Sequence, residues 1–189
     1  MSGKVLMVFH FDFTRNATRR FILAELRERL DATQRLALEA AVAAAGVPEG
    51  HHHDLDEVLK TVDAMAASTR VKDDMRGIYR ILAQAEATAH GCAVEQTHFH
   101  EVGNGEAVRC VVAICMAVEM LDPACITATC VQTGSGTVQC AHGELPIPAP
   151  ATAAILSLGI PTCDDKLEGE LCTPTSAAVI KHFVDEFVV

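Results

Sequence analysis

The chain has no tryptophan and a single tyrosine, and seven phenylalanines complete its aromatic set, while 29 of its 189 residues are alanine. That composition argues against an aromatic-rich β-sandwich and against disorder, and favours close-packed helices on a sheet. Basic residues are few: 15 against 25 acidic ones, a net charge of −10, which argues against a protein that grips a nucleic-acid backbone. Long apolar runs are missing. The longest, residues 107–121, is interrupted by Arg109 and Glu119, whereas a membrane span needs about 20 apolar residues. Residues 5–9 are too short for a signal-peptide core, and Asp12 and Arg15 follow at once. The expectation is a cytoplasmic chain with no membrane and no nucleic-acid partner. The eight cysteines contain no C-x-x-C pair, so zinc ribbons, thioredoxin-type redox pairs and haem attachment lack their signatures. They read as free thiols packed like small hydrophobes, with Cys140 set apart below. Walker, G-x-G-x-x-G and G-x-S-x-G motifs are also absent, which removes the usual NTPase, dinucleotide and hydrolase readings.

At about 150 residues per domain, residues 1–189 read as one domain, large enough to fold without a disulfide or metal staple. Residues 5–11 suggest a short buried strand, and residues 20–45 a helix in one or two pieces. Asp54 is a plausible N-cap for a helix over 55–67. Residues 71–90 carry apolar side chains at three- and four-residue steps and stop at Gly91. Residues 94–99 alternate and read as extended, and 106–121 as the most apolar helix. A strand over 125–133, a turn at Gly134-Ser135-Gly136 and a strand to Cys140 follow. Pro150 opens a helix over 151–158, residues 160–163 make a short strand, and Thr173-Pro174 starts a last helix over 175–187. Short strands alternating with helices in a single compact domain indicate an α/β fold.

The densest polar cluster is His98-Phe99-His100-Glu101. On a strand, residues two apart share a face, so both imidazoles would reach one point while Phe99 anchors the opposite face. Imidazole suits nickel and zinc, and Glu101 can ligate, orient a histidine or act as a base. Cys140 and His142 repeat the spacing, pairing a thiolate with an imidazole as a second half-site. The run His51-His52-His53 reads as a solvated loop able to bind metal loosely and serve as a loading arm. His10, His90 and His182 fall inside regular elements and read as structural. Gly134-Ser135-Gly136 can present backbone N–H groups to a phosphate, which makes Ser135 and Gly136 candidate cofactor contacts. Thr173 and Thr175 join them at a helix N-terminus. Glu168 and Glu170, crowded just before that helix, are candidate catalytic carboxylates alongside Glu101. The residues alone leave nickel, zinc and copper open as the metal, and leave the oligomeric state, a homo-oligomer included, undecided.

HFHEVG (98–103), CAHGELPIPAPAT (140–152) and EGELCTPTSAA (168–178), in this order and spacing, resemble the LarC family of nickel-insertion proteins. The resemblance runs from about residue 51 to 183, and residues 1–50 diverge. It implies a nickel chelatase, a lyase that forms metal–sulfur and metal–carbon bonds in a pyridinium bisthiocarboxylate mononucleotide precursor. The product is the nickel-pincer cofactor of lactate racemase and related enzymes, and the family uses CTP. It implies too that this chain matches the N-terminal domain alone, without the CTP-binding C-terminal domain, and would act with a separate nucleotide-binding partner. Two other readings of the same residues stand beside it: a non-catalytic metal-binding or delivery module, and a metal-dependent hydrolase built on His98, His100, Glu101 and His142.

Overall fold

A computed structural model describes residues 7–140 and 143–188. Strand β1 (Val8–Phe11) turns Phe9 and Phe11 inward and Val8 and His10 outward. It lies parallel to β2 (Cys125–Ala128), with Val8 opposite Cys125 and Phe11 opposite Ala128. β7 (Glu186–Phe187) adds to the other edge of β2, also parallel. Two small antiparallel pairs complete the sheets among the described residues: β3 (Gly134–Ser135) with β6 (Gly169–Glu170), and β4 (Thr137–Cys140) with β5 (Gly143–Pro146).

The helices are α1 (Arg19–Arg29), α2 (Ala32–Ala44), α3 (Leu55–Ala64), α4 (Thr69–His90), α5 (Gly105–Leu121), α6 (Pro150–Leu156) and α7 (Pro174–Phe183). Helix α5 is nearly all apolar and buried because it packs on α1, α2 and α4 at once. Helix α4 buries Val71, Met75, Ile78, Tyr79 and Leu82 along one stripe, packed against α6 and α7. Local chemistry places most ends. Asp31 forms a capping box with Gln34 and splits the first helical region in two. Asp54 caps α3, and Gly91 ends α4 with φ of 64°. This is the α/β domain expected, and no helix among the described residues is long and apolar enough to cross a membrane.

Four expectations are corrected. Residues 94–99 form no strand: Thr97 bonds back to the Val94 carbonyl through both its N–H and its hydroxyl, making one 3-10 turn (Val94–Gln96) before an irregular segment. The strand expected over 125–133 ends at Ala128, beyond which Val131 makes a single parallel bridge with Thr162. That bridge is all that forms of the strand expected over 160–163. The last helix stops at Phe183, because Asp185 N–H and Val188 N–H donate to β2 carbonyls and recruit residues 186–187 as a strand.

Candidate functional site

A cleft of about 590 Å³ opens among α4, α5, α7, the HFHEVG segment and the β4–β5 hairpin. HFHEVG supplies His100 and Glu101, β4 supplies Cys140, and β6 supplies Glu170. Thr173 and Thr175 come from the start of α7. Segments far apart in sequence thus contribute imidazole, thiol, carboxylate and hydroxyl groups to one space.

HFHEVG holds its shape through backbone pairing with the histidine run, which lies alongside it. Phe99 N–H donates to the His53 carbonyl (2.7 Å), His52 N–H to the Gly103 carbonyl (2.8 Å), and Gly105 N–H to the Gly50 carbonyl (3.1 Å). Phe99 is buried and packs near Tyr79, whose hydroxyl donates to the Val102 carbonyl at 3.2 Å. Gly103 is required by proximity: a Cβ there would sit 1.9 Å from the His52 carbonyl oxygen.

The histidine run is therefore a docked segment, and the solvated loop expected fails at His52. That side chain is buried; its Nδ1–H donates to the Gly103 carbonyl (3.1 Å) and its Nε2 accepts from the Thr61 hydroxyl (2.8 Å). Both ring nitrogens are taken, so in this conformation His52 offers a metal no lone pair. His51 is exposed, with Nε2 donating to the Phe99 carbonyl at 2.8 Å, and His53 is exposed beside it.

His98 is exposed and does not line the cleft that His100 lines. The shared face expected of them presupposed a strand, and none forms. Ser135, Gly136 and Glu168 also lie outside the lining. Gly134 N–H donates to Gln132 Oε1 (3.0 Å), the Ser135 hydroxyl donates to the Leu167 carbonyl (2.8 Å), and Ser135 bridges exposed Glu168. The first two residues of the glycine turn thus form strand β3, paired with β6. His142 lies outside the described residues. Among the described residues, no three His, Cys, Asp or Glu side chains converge closely enough to hold a metal ion.

The cleft also holds groups to which sequence reasoning gave no role. Glu86 and His90 stand one turn apart at the end of α4, 3.6 Å from each other. Burial, reinforced by the negative charge of Glu101, pushes the Glu86 carboxyl up to about 7. Burial likewise raises Glu170, with Glu101 adding to the effect and Arg19 opposing it. Glu101 thus acts on both of the other two carboxylates of the cleft. The available signal was the Glu86/His90 spacing on a helix that ends just before HFHEVG; reading His90 only as an interior helix position hid it.

The family model described as nickel insertion protein matches residues 7–188. A protein of Staphylococcus epidermidis named pyridinium-3,5-bisthiocarboxylic acid mononucleotide nickel insertion protein is 40% identical over 137 residues, 72% of this chain and 34% of its own. A protein of the same name from Staphylococcus saprophyticus is 41% identical over 134 residues, 70% of this chain and 34% of its own. The chain spans about a third of the length of these curated relatives. No solved structure matches it. With nearly its whole length matched by the family model, the chain belongs to the nickel insertion protein family.

Proposed function

We propose that this chain takes part in nickel insertion into the pyridinium bisthiocarboxylate mononucleotide precursor, with the metal and the precursor meeting in the cleft described above. The observation that carries this reading is that His100 and Glu101 share one cleft with Cys140, although they come from separate motifs. Imidazole and thiolate match a borderline-soft divalent ion such as nickel, which here is cargo to be passed on. Forming a metal–carbon bond on the pyridinium ring releases one ring proton for each bond formed, and Glu101, a carboxylate of the cleft lining, is the group we assign to receive it. His142, following Cys140 by two residues, is the fourth ligand candidate. His51, His53 and His98 are candidates for looser metal contacts outside the cleft. Thr173 and Thr175 at the start of α7, Glu170 at its approach, and beyond the lining Ser135, Gly136 and Glu168, complete the candidate set. CTP and a separate nucleotide-binding partner belong to the same proposal for the complete reaction.

The test is a nickel titration of the metal-free protein, followed by the thiolate-to-nickel charge-transfer absorbance. The wild type develops that band, Cys140→Ser abolishes it, and His100→Ala weakens binding by at least about tenfold, the worth of one strong ligand contact. Equal nickel binding by all three proteins would overturn the reading. Addition of precursor and CTP, with the nickel-bearing product followed by mass, then tests turnover.

A further inference from the structure

Past the end of β2, Val131 N–H donates to the Pro161 carbonyl at 2.8 Å, and the Val131 carbonyl accepts from Cys163 N–H at 3.1 Å, which makes the parallel bridge between Val131 and Thr162. Val131 is buried. On extended backbone the neighbours of a bridged pair point to the opposite side. Cys130, just before Val131, and Cys163, just after Thr162, therefore turn their side chains to one face. The thiols meet there, with the Cys163 sulfhydryl donating a hydrogen bond to the Cys130 sulfur. Both side chains are half-buried, and Cys163 stands between exposed Thr162 and Asp164, so a small reagent in solvent can reach the pair.

The fold holds the two cysteines in place from both sides. Thr129 Oγ1 accepts from Phe13 N–H at 2.9 Å and donates to the Cys130 carbonyl at 3.0 Å. Beyond the bridge, buried Gln132 donates through Nε2 to the Asp165 carbonyl at 2.8 Å and accepts at Oε1 from Leu167 N–H at 3.4 Å. Neither sulfur has to search for the other, which is the condition for fast reaction between two groups of one chain. Burial, then the hydrogen bond to Cys130 and the charge of Cys130, push the Cys163 thiol up to about 12, with Asp12 adding to the rise and Lys166 opposing it. The proton between the sulfurs thus stays on Cys163, and Cys130 is the sulfur that attacks first. Residues 131–162, between the two cysteines, include β3, the β4–β5 hairpin and α6, and with them Val138, Cys140, Leu145 and Ala151 of the cleft lining. Cys130 and Cys163 themselves do not line the cleft.

We propose that Cys130 and Cys163 are a redox-active dithiol, which a disulfide of the glutathione class oxidises to a bond that closes the base of the cleft-lining segment. The Cys130 thiolate attacks one sulfur of the small disulfide, breaking its S–S bond, forming a mixed disulfide and releasing one small thiol. Cys163, losing its proton, attacks the Cys130 sulfur, forms the intramolecular bond and releases the second small thiol. The protein dithiol loses two electrons, the small disulfide gains them, and the two sulfhydryl protons end on the released thiols. The pair uses neither nickel nor the precursor, so it stands apart from the function proposed above.

The test is to equilibrate the reduced protein with mixtures of glutathione and glutathione disulfide, alkylate it with N-ethylmaleimide and weigh it intact. Two of the eight thiols escape alkylation together and carry no glutathione. Cleavage after glutamates parts the two cysteines at Glu144, so oxidation joins peptides 120–144 and 145–168 until a reductant is added. Fragmentation places the bond at Cys130, because peptide 120–144 also holds Cys125 and Cys140. Cys125→Ser keeps the bond, and Cys163→Ser and Cys163→Ala abolish it. The oxidised wild type melts about 7–15 °C above the reduced protein, the worth of constraining a loop of this length in the unfolded chain, and Cys163→Ala shows no such difference. The cross-link is read on the wild type, so it does not depend on any variant folding. Full alkylation of all thiols in excess glutathione disulfide, a glutathione adduct that stays on Cys130, a bond to another cysteine, or equal melting of oxidised and reduced protein overturns the proposal.

Discussion

Replacing Glu86 with glutamine makes the electrostatic state of the cleft measurable. The Glu86 carboxyl moves from an ordinary 4.5 to about 7 on folding, first because it is buried and second because Glu101 repels its charge. A displacement of that size corresponds to about 3 kcal/mol of preference for the neutral acid. Screening through the open side of the cleft lowers the expected effect to about 2 kcal/mol. The sign follows from linkage: between pH 4.5 and about 7 the folded protein retains a proton that the unfolded chain has released. The contribution of this group to stability is therefore fully present below pH 4.5, falls as pH rises, and levels off above about 7. Glu86→Gln has no such proton to lose. Urea unfolding of both proteins from pH 4.5 to 8 should give equal stabilities at the acid end, with the variant more stable by about 2 kcal/mol at the alkaline end. Taking the difference cancels the titrating groups that are not coupled to Glu86. Because Glu101 is the second cause, adding Glu101→Gln to both proteins should move the rise of this difference to lower pH. A gap constant across the range, or a variant less stable above pH 7, would refute the account of Glu86 as a carboxyl strained by burial.

Two further outcomes concern how HFHEVG is held. Gly103→Ala sets a Cβ 1.9 Å from the His52 carbonyl oxygen and 3.0 Å from Phe99 Cβ, so it should cost about 3 kcal/mol or more; faster hydrogen exchange at the His52 and Phe99 amides would locate the damage, and unchanged exchange would show that the two segments do not depend on this contact. His52→Ala strands the Thr61 hydroxyl and leaves the Gly103 carbonyl with the residue-52 N–H as its donor, a loss of about 2 kcal/mol and of about 4–8 °C in Tm for a domain of this size. Exposed His53→Ala should stay within about 0.5 kcal/mol of wild type; similar melting of the two variants would mean that the histidine run is not docked as described.

Much of the architecture is a local property and could be read along the chain. Asp54 and Thr173 mark helix starts because a side-chain oxygen two or three residues from an orphan N–H needs no tertiary context. Gly91 marks a helix end because left-handed backbone excludes most side chains. The apolar stripe of α4 and the near-continuous apolarity of α5 announce their depth. Residues capable of metal chemistry, His100, Glu101 and Cys140, stood out by their type and spacing. Tertiary structure alone decided which of them meet. HFHEVG alternates like a strand, but its neighbour is the histidine run, which accepts the Phe99 N–H at His53 and donates to Gly103 from His52; His100 reaches the cleft and His98 does not. His52 looks like its neighbours in sequence, and only packing against Thr61 and Gly103 buries it. The i,i+4 spacing of Glu86 and His90 was visible along the chain, but the burial of Glu86 and its coupling to Glu101 arise from groups that fold beside it from distant parts of the chain. Capping and periodicity act over a few residues, whereas desolvation and charge coupling depend on what the completed fold places within a few ångströms.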